Sequence, residues 1–254
     1  MSSIKTATVN HVAQIEIARP EKKNAITAAM YAAMADALDA ASADASVRAV
    51  LITGQPEIFT SGNDLEDFMQ RPPQGLDSPV FRFMKSLTGC PKPVVVAVNG
   101  AAIGIGTTLL LHADLVYAAD NARFAMPFTS LGLVAEFASS LLVPALVGHT
   151  RAAEKLLLGD PFGAEEAQEL GLVNRVLPEG EVVAHARRVA ERFNALPPGA
   201  VQDTKRLMKR ANAKLVVETI STEGEVFGAR LASPEAKEAF TAFFQKRKPD
   251  FAQF

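Results

Sequence analysis

The run Val94 to Val98 (VVVAV) offers no polar face at all, and that constrains the fold more than any other stretch of the chain. A β-branched strand of this kind is stable only where both sides of its sheet are covered, which is the situation of parallel sheets flanked by helices. Pro91-Lys92-Pro93 precedes it and Asn99-Gly100 ends it. Val47 to Thr53 repeats the pattern and is broken by Gly54-Gln55-Pro56, whereas Val12 to Ile17 alternates with period two, as a half-buried strand does. Between these strands the spacing turns helical. Thr27 is a candidate N-cap before Met30, Met34, Ala37, Leu38 and Ala41, and Thr107 to His112 continues as an apolar helix. Asp114 to Ala118 and Arg123 to Ala125 add two strands around the turn Asp120-Asn121. Strands separated by helical segments predict an α/β chain of crossover units on a largely parallel sheet.

Beyond about Glu136 the pattern is helical: Leu141 to Leu146, Ala152 to Leu158, Ala164 to Leu170 with Gly171 as C-cap, Val182 to Leu196 and Val201 to Met208, with one short strand near Asn174 to Val176. Ser233-Pro234 supplies an N-cap and an N1 proline for a last helix from Glu235 to Lys246. The expected division is a core over 1–195 and a helical C-terminal region over 196–254. Glu66 to Leu76, with Pro72-Pro73 and Gly75, is polar and broken, and reads as a long loop at the rim of a site.

Charge narrows the partners. Lys and Arg number 26 against 28 Asp and Glu, so no global field draws the chain to nucleic acid or an anionic membrane. A single cysteine, Cys90, excludes an intrachain disulfide and a cysteine zinc cluster and suits a reducing compartment. Met1 to Lys5 lacks a secretory pattern, and the apolar runs fall far short of the roughly 20 residues of a membrane helix. A cytoplasmic protein whose partner is a small molecule or another protein is expected. His11, His112, His149 and His185 are scattered without ligand spacing, so no metal is expected.

Two segments are unsuited to plain packing. In FTSGNDL, Phe59 to Leu65, Gly62-Asn63 marks a tight turn whose backbone can approach a ligand. In VNGAAIGIGTTL, Val98 to Leu109, a buried strand opens through Gly100, Gly104 and Gly106 into a helix, so unpaired N–H groups point out of the helix start and favour negative charge. The alternative is that these glycines serve close packing alone. The glycine order matches neither a dinucleotide fingerprint nor a P-loop, and Ser61 lacks the nucleophile elbow of a serine hydrolase.

Five blocks in order, RPEKKNAI (Arg19 to Ile26), FTSGNDL, PKPVVVAVNGAAIGIGTTL (Pro91 to Leu109), DLVYAADNARFAMP (Asp114 to Pro127) and SPEAKEAFTAFFQKRKPDF (Ser233 to Phe251), resemble the crotonase family of enoyl-CoA hydratases and isomerases. The resemblance implies a spiral of ββα units with a helical C-terminal trimerisation region, hence a homotrimer or hexamer. It implies an acyl-CoA thioester as substrate, with CoA part of that substrate and no separate cofactor. It places two oxyanion-hole donors on the backbone N–H groups of Asn63 and Ile105, with Gly62, Asp64, Leu65 and Gly104 beside them. The CoA nucleotide would lie against backbone near Lys23, Ala25 and Ser61, its phosphates near Lys22 or Lys23 unless these are plain surface charges. Removing a proton α to a thioester builds charge on the carbonyl oxygen, and each preorganised donor stabilises that charge by about 2.7–4 kcal/mol.

The two acids that family hydratases use align with Thr108 and Phe128, neither of which transfers a proton in that role. The remaining candidate is Glu136 in LGLVAEFASS, where Δ3-Δ2-enoyl-CoA isomerases carry a glutamate. Val134 and Phe137 beside it would desolvate the carboxyl and raise its pKa. Ala135 departs from the usual proline, and Phe137-Ala138 stands where smaller residues are expected. An ordinary helix N-terminal acid is the competing reading of Glu136. Hydration of fatty-acid β-oxidation and silent acyl-CoA binding are the competing functions. Chain length depends on how Phe68, Phe81, Phe83, Phe128 and Phe137 fold together.

Overall fold

The computed structural model describes residues 3–71, 75 and 77–254. Its strands are β1 (Ile4–Val9), β2 (Val12–Ile17), β3 (Ala49–Thr53), β4 (Ile58–Thr60), β5 (Val94–Val98), β6 (Ala101–Ile103), β7 (Leu115–Ala119), β8 (Arg123–Ala125), β9 (Phe162–Gly163) and β10 (Arg175–Leu177). They form a six-stranded sheet in the order β1-β2-β3-β5-β7-β10 and a four-stranded sheet in the order β4-β6-β8-β9. The β1/β2 and β8/β9 pairs are antiparallel, and the rest are parallel. The chain thus lays one strand in the large sheet and the next in the small one: β3 then β4, β5 then β6, β7 then β8. This alternation is the ββα spiral.

The helices are α1 (Ala28–Ala43), α2 (Leu65–Gln70), α3 (Pro79–Gly89), α4 (Ile105–Thr108), α5 (Ser139–Val147), α6 (His149–Ala153), α7 (Ala164–Glu169), α8 (Val182–Arg192), α9 (Pro198–Lys209), α10 (Ala213–Leu231) and α11 (Pro234–Phe244). Thr27 caps α1 as expected, its hydroxyl accepting from the Met30 N–H. Ser233 caps α11 in the same way.

The apolar runs of β3 and β5 are explained by their two covered faces. On one side Val50, Ile52, Val94, Val96 and Val98 join Met34, Leu38 and Leu87 of α1 and α3 in the main core. On the other, Leu51, Val95 and Ala97 pack beneath Val182, Ala186 and Ala190 of α8. Burial of so much apolar surface stabilises the sheet at roughly 25 cal/mol per Å².

Several sequence expectations are corrected. The glycine run does not pass straight from strand to helix: β6 intervenes, so the chain changes sheets between Val98 and Gly104. The helix expected over Thr107 to His112 begins at Ile105 and tightens into a 3-10 turn, Leu109–His112. Val182 to Leu196 is helical only to Arg192 before a 3-10 turn. Part of the loop expected over Glu66 to Leu76 is α2, capped by Asp64; Pro72, Pro73 and Leu76 lie outside the described residues. Strand β1 went unnoticed because it is an exposed edge with one buried residue, Ile4. The 19-residue α10 was missed because Thr219, Ser221, Thr222, Gly224 and Gly228 are poor helix formers. No described helix is long and apolar enough to cross a membrane.

Candidate active site

The register of the small sheet brings the two glycine-bearing segments side by side. In the β4/β6 pairing Thr60 faces Ala102, and Asn63 and Ile105 each lie three residues beyond that pair. The strand ends are locked closely. A Cβ on Gly106 would fall 2.5 Å from Thr60 Cγ2, and one on Gly62, whose φ is 91°, would fall 2.8 Å from the Ile103 carbonyl oxygen. Gly104, the N-cap of α4, donates its N–H to the Ala125 carbonyl.

Both donor groups are left free by the local geometry. Ile26 bridges to this segment by donating to the Gly62 carbonyl at 2.9 Å and accepting from the Asp64 N–H at 2.9 Å, so the Asn63 N–H points away from the bridge. Ile105 opens α4, where no intrahelical acceptor exists. Among the described residues neither N–H donates to another backbone group. The Asn63 side chain is held by Tyr31, whose hydroxyl donates to Oδ1 at 2.6 Å.

The remaining expected binding residues gather around one loop. Asn24, fully buried with a left-handed φ of 55°, donates its amide to the carbonyls of Ile17, Ile58 and Phe59 and accepts from the Arg19 N–H. Its own carbonyl accepts from the Thr60 hydroxyl, which also accepts from the Gly62 N–H. Lys22 and Lys23 are exposed on this loop with no ion pair among the described residues, and the Lys23 carbonyl accepts from the Ser61 N–H. Ala25 is half-buried, its carbonyl taking a bond from Arg19 Nη1. Asp64 pairs with that guanidinium at 2.6 Å and caps α2, so it is a structural acid, and Leu65 packs on the core.

Glu136 lines an apolar pocket together with Asn63, Phe68, Val80, Phe81, Met84, Phe137, Ile220 and Phe227. Glu136 is buried, 8 % exposed as a whole residue, and lies two residues before the Ala138 N-cap of α5, so it is not an ordinary first-turn acid. Burial pushes its pKa up to about 8; the Thr108 hydroxyl opposes this and the Glu223 carboxylate adds to it. Thr108 Oγ1 donates to Oε1 at 2.5 Å, while Oε2 takes no hydrogen bond among the described residues. Thr108, at the place of one hydratase acid, therefore serves a neighbouring carboxyl. Phe128, at the other, is buried beside Gly104. Ile105 is buried and does not line the pocket itself, but α4 carries both it and Thr108.

The irregular AEFASS segment has a defined shape. Phe137 and Ala138 both take left-handed backbone, φ 57° each, at a cost of roughly 1–2 kcal/mol per residue. His112 offsets part of this: its ring stacks on Phe137 at 3.9 Å and Nε2 donates to the Phe137 carbonyl. Of the phenylalanines expected to set pocket depth, Phe68, Phe81 and Phe137 line it, whereas Phe83 packs behind, against Tyr31 and Phe137. Tyr31, Asn24 and Glu223 were not found by sequence reading. Asn24 sits inside a recognised block, but Tyr31 reads as one more apolar helix residue, and nothing local marks Glu223.

Glu136 and Asn63 line one apolar pocket, and the chain that builds it is similar to known ones. The family model described as "Enoyl-CoA hydratase/isomerase" matches residues 7–254. Human enoyl-CoA delta isomerase 2 is 35% identical over 93% of this chain, which spans only 61% of that longer protein. The 2,3-dehydroadipyl-CoA hydratase of Escherichia coli K12 is 29% identical over 99% of both chains. Among solved structures, OdaA of Pseudomonas aeruginosa superposes with a TM-score of 0.94 at 50% identity, over 96% of this chain and 99% of its own. The ordered blocks, the two-sheet spiral and these likenesses place the chain in the enoyl-CoA hydratase/isomerase family, the crotonases.

Proposed function

We propose that this crotonase is a Δ3-Δ2-enoyl-CoA isomerase in which one carboxylate, Glu136, carries the proton. The observation that supports this most is the pocket itself: Glu136 and Asn63 face it amid apolar side chains, while Thr108 and Phe128 stand where hydratase acids would be. In the proposed step Glu136 Oε2 takes the C2 proton of a 3-enoyl thioester. The C2–H electrons form the C1–C2 double bond of a dienolate, and its oxygen accepts from the Asn63 and Ile105 N–H groups. Glu136 then returns the proton to C4 as the C2–C3 double bond forms. A carboxyl with pKa about 8 is matched to taking and giving back one proton near neutral pH.

CoA enters as part of the substrate, its nucleotide lying along the Lys22 to Ala25 loop and Ser61. The apolar side chains exposed on the C-terminal helices, among them Met208, Leu215, Val217 and Phe243, would be covered in a homotrimer or hexamer. The free, buried Cys90 suits a cytoplasmic setting.

The test is a matched assay on 3-enoyl-CoA and 2-enoyl-CoA thioesters of several lengths. Double-bond migration that falls by roughly 10²–10⁴ in Glu136→Gln, with thioester binding retained, supports the assignment. Undiminished turnover in Glu136→Gln, or hydration of 2-enoyl-CoA as the dominant reaction, would sink it.

A further inference from the structure

Glu223 lies on α10, 87 positions from Glu136, yet its carboxylate is spent on the segment that carries Glu136. Oε2 accepts from the Ala138 N–H at 2.5 Å and Oε1 from the Ser140 N–H at 2.9 Å. These are donors at the start of α5, whose N-cap is an alanine with no side-chain acceptor of its own. Glu223 thus supplies from a distant helix the cap that the local sequence omits. One of the two capped residues, Ala138, is in left-handed backbone, as is Phe137 just before it. The Ser139 hydroxyl donates to the Glu136 carbonyl, which ties this cap directly to the residue bearing the carboxyl.

We propose that Glu223 is a positioning residue: by holding the Ala138 and Ser140 N–H groups it fixes the left-handed turn after Glu136 and so aims the Glu136 carboxyl into the pocket. The inference rests on the isomerase reading for its kinetic consequences, though not for its structural ones. The hydrogen bonds favour the carboxylate form, against burial, which raises the Glu223 pKa. Both oxygens accept from backbone donors, and a buried carboxylate stays charged more readily when such donors surround it.

The arrangement also has an electrostatic consequence. The titratable groups facing Glu136 are Tyr31 from α1 and Glu223 from α10, with His112 against the adjacent Phe137. Burial, and then the charge of Glu136, holds the Tyr31 hydroxyl well above its usual range, and burial pushes His112 down to about 4, so both are neutral near pH 7. Burial raises the Glu223 pKa while its bonds to Ser140 and Ala138 lower it, and in its carboxylate form Glu223 repels Glu136 and raises the Glu136 pKa. Positioning and tuning come from one side chain.

The decisive variant is Glu223→Gln, which keeps shape and one acceptor oxygen but loses the charge. Expected are faster amide exchange at Ala138 and Ser140, kcat lowered about 10- to 100-fold with KM and saturated acyl-CoA binding unchanged, and a Glu136 titration moved to lower pH. The titration is followed by carbon NMR of labelled glutamate, with Glu136 assigned from Glu136→Gln. Adding Ala138→Gly, which relaxes the left-handed residue, should recover part of kcat. The proposal is overturned if exchange and titration match the wild type, or if kcat and binding fall together, uniformly with pH and without recovery by Ala138→Gly. Exchange and titration need no turnover. An inactive wild type would therefore refute the isomerase reading while leaving this inference to be judged on those two measurements.

Discussion

Thr108→Val isolates the bond between Thr108 and the base. Thr108 is fully buried and its hydroxyl donates to Glu136 Oε1 at 2.5 Å, so valine keeps the volume and removes one donor. A hydrogen bond to a charged group contributes about 1.5–3 kcal/mol, of which the lower end is a fair measure of its preference for the ionised over the protonated carboxyl. About 1.4 kcal/mol corresponds to a tenfold change in an acid constant. The sign follows from the causes: burial raises the Glu136 pKa to about 8 against the opposing Thr108 bond, so losing that bond raises it further. The base must be ionised to act. Well below its pKa, kcat/KM of the variant should therefore be about tenfold lower than wild type, with the gap closing toward alkaline pH as both enzymes become fully ionised. The assay is kcat/KM for a 3-enoyl-CoA measured from about pH 6 to about pH 10. A loss of equal size at every pH, or a limb that moves to lower pH, would refute the reasoning.

Three further outcomes follow from the same geometry. Because the native Glu136 pKa of about 8 exceeds the ordinary 4.5, the fold retains its proton longer than the unfolded chain does. That contribution to stability is whole below about pH 4.5 and is lost as pH rises through about 8, so Glu136→Gln should be the more thermostable protein at alkaline pH, by a few kcal/mol, with the advantage vanishing in acid; a difference in Tm that does not vary with pH contradicts this. Gly106→Ala puts a Cβ 2.5 Å from Thr60 Cγ2 and should cost about 1–3 kcal/mol while separating the two donor segments. Thr60→Ser in that background removes the clashing methyl and keeps the hydroxyl bonds, so recovery of both melting temperature and kcat is expected, and failure to recover either would show that the clash is not the cause. Asn24→Ala strips partners from three carbonyls and the Arg19 N–H, which should lower stability by about 3 kcal/mol and Tm by roughly 6–12 °C in thermal denaturation.

Much of the proposed site was legible in the chain because its two proposed donors are backbone groups. A donor that is a peptide N–H has to follow a glycine turn at a strand end, and such turns leave marks: Gly62-Asn63 after Phe59-Thr60-Ser61, and Gly104-Ile105-Gly106 after the VVVAV strand. The ordered blocks carried the fold for the same reason, since sheets with two covered faces need unbroken apolar runs. The proposed acid, Glu136, was singled out by the resemblance to the family, which aligns Thr108 and Phe128 with the hydratase acids and Glu136 with the glutamate of isomerases. What local pattern did not show was the second sheet. β8 was read as Arg123 to Ala125, but β4 and β6, three residues each, are too short for a period of two to register, so nothing pointed to a separate sheet.

Sequence alone therefore determined the covered parallel sheet and the glycine turns that free two N–H groups, because each depends on residues adjacent in the chain, while Glu136 entered as the proposed carboxyl through resemblance to the family. Tertiary structure alone decided how that carboxyl behaves. Its pKa near 8 comes from burial among α3 and α10 side chains, from Thr108 and from Glu223, and its aim depends on a left-handed turn that alanine and phenylalanine do not favour. Desolvation and capping from a distant helix are sums over neighbours in space. No stretch of chain shorter than the fold contains them.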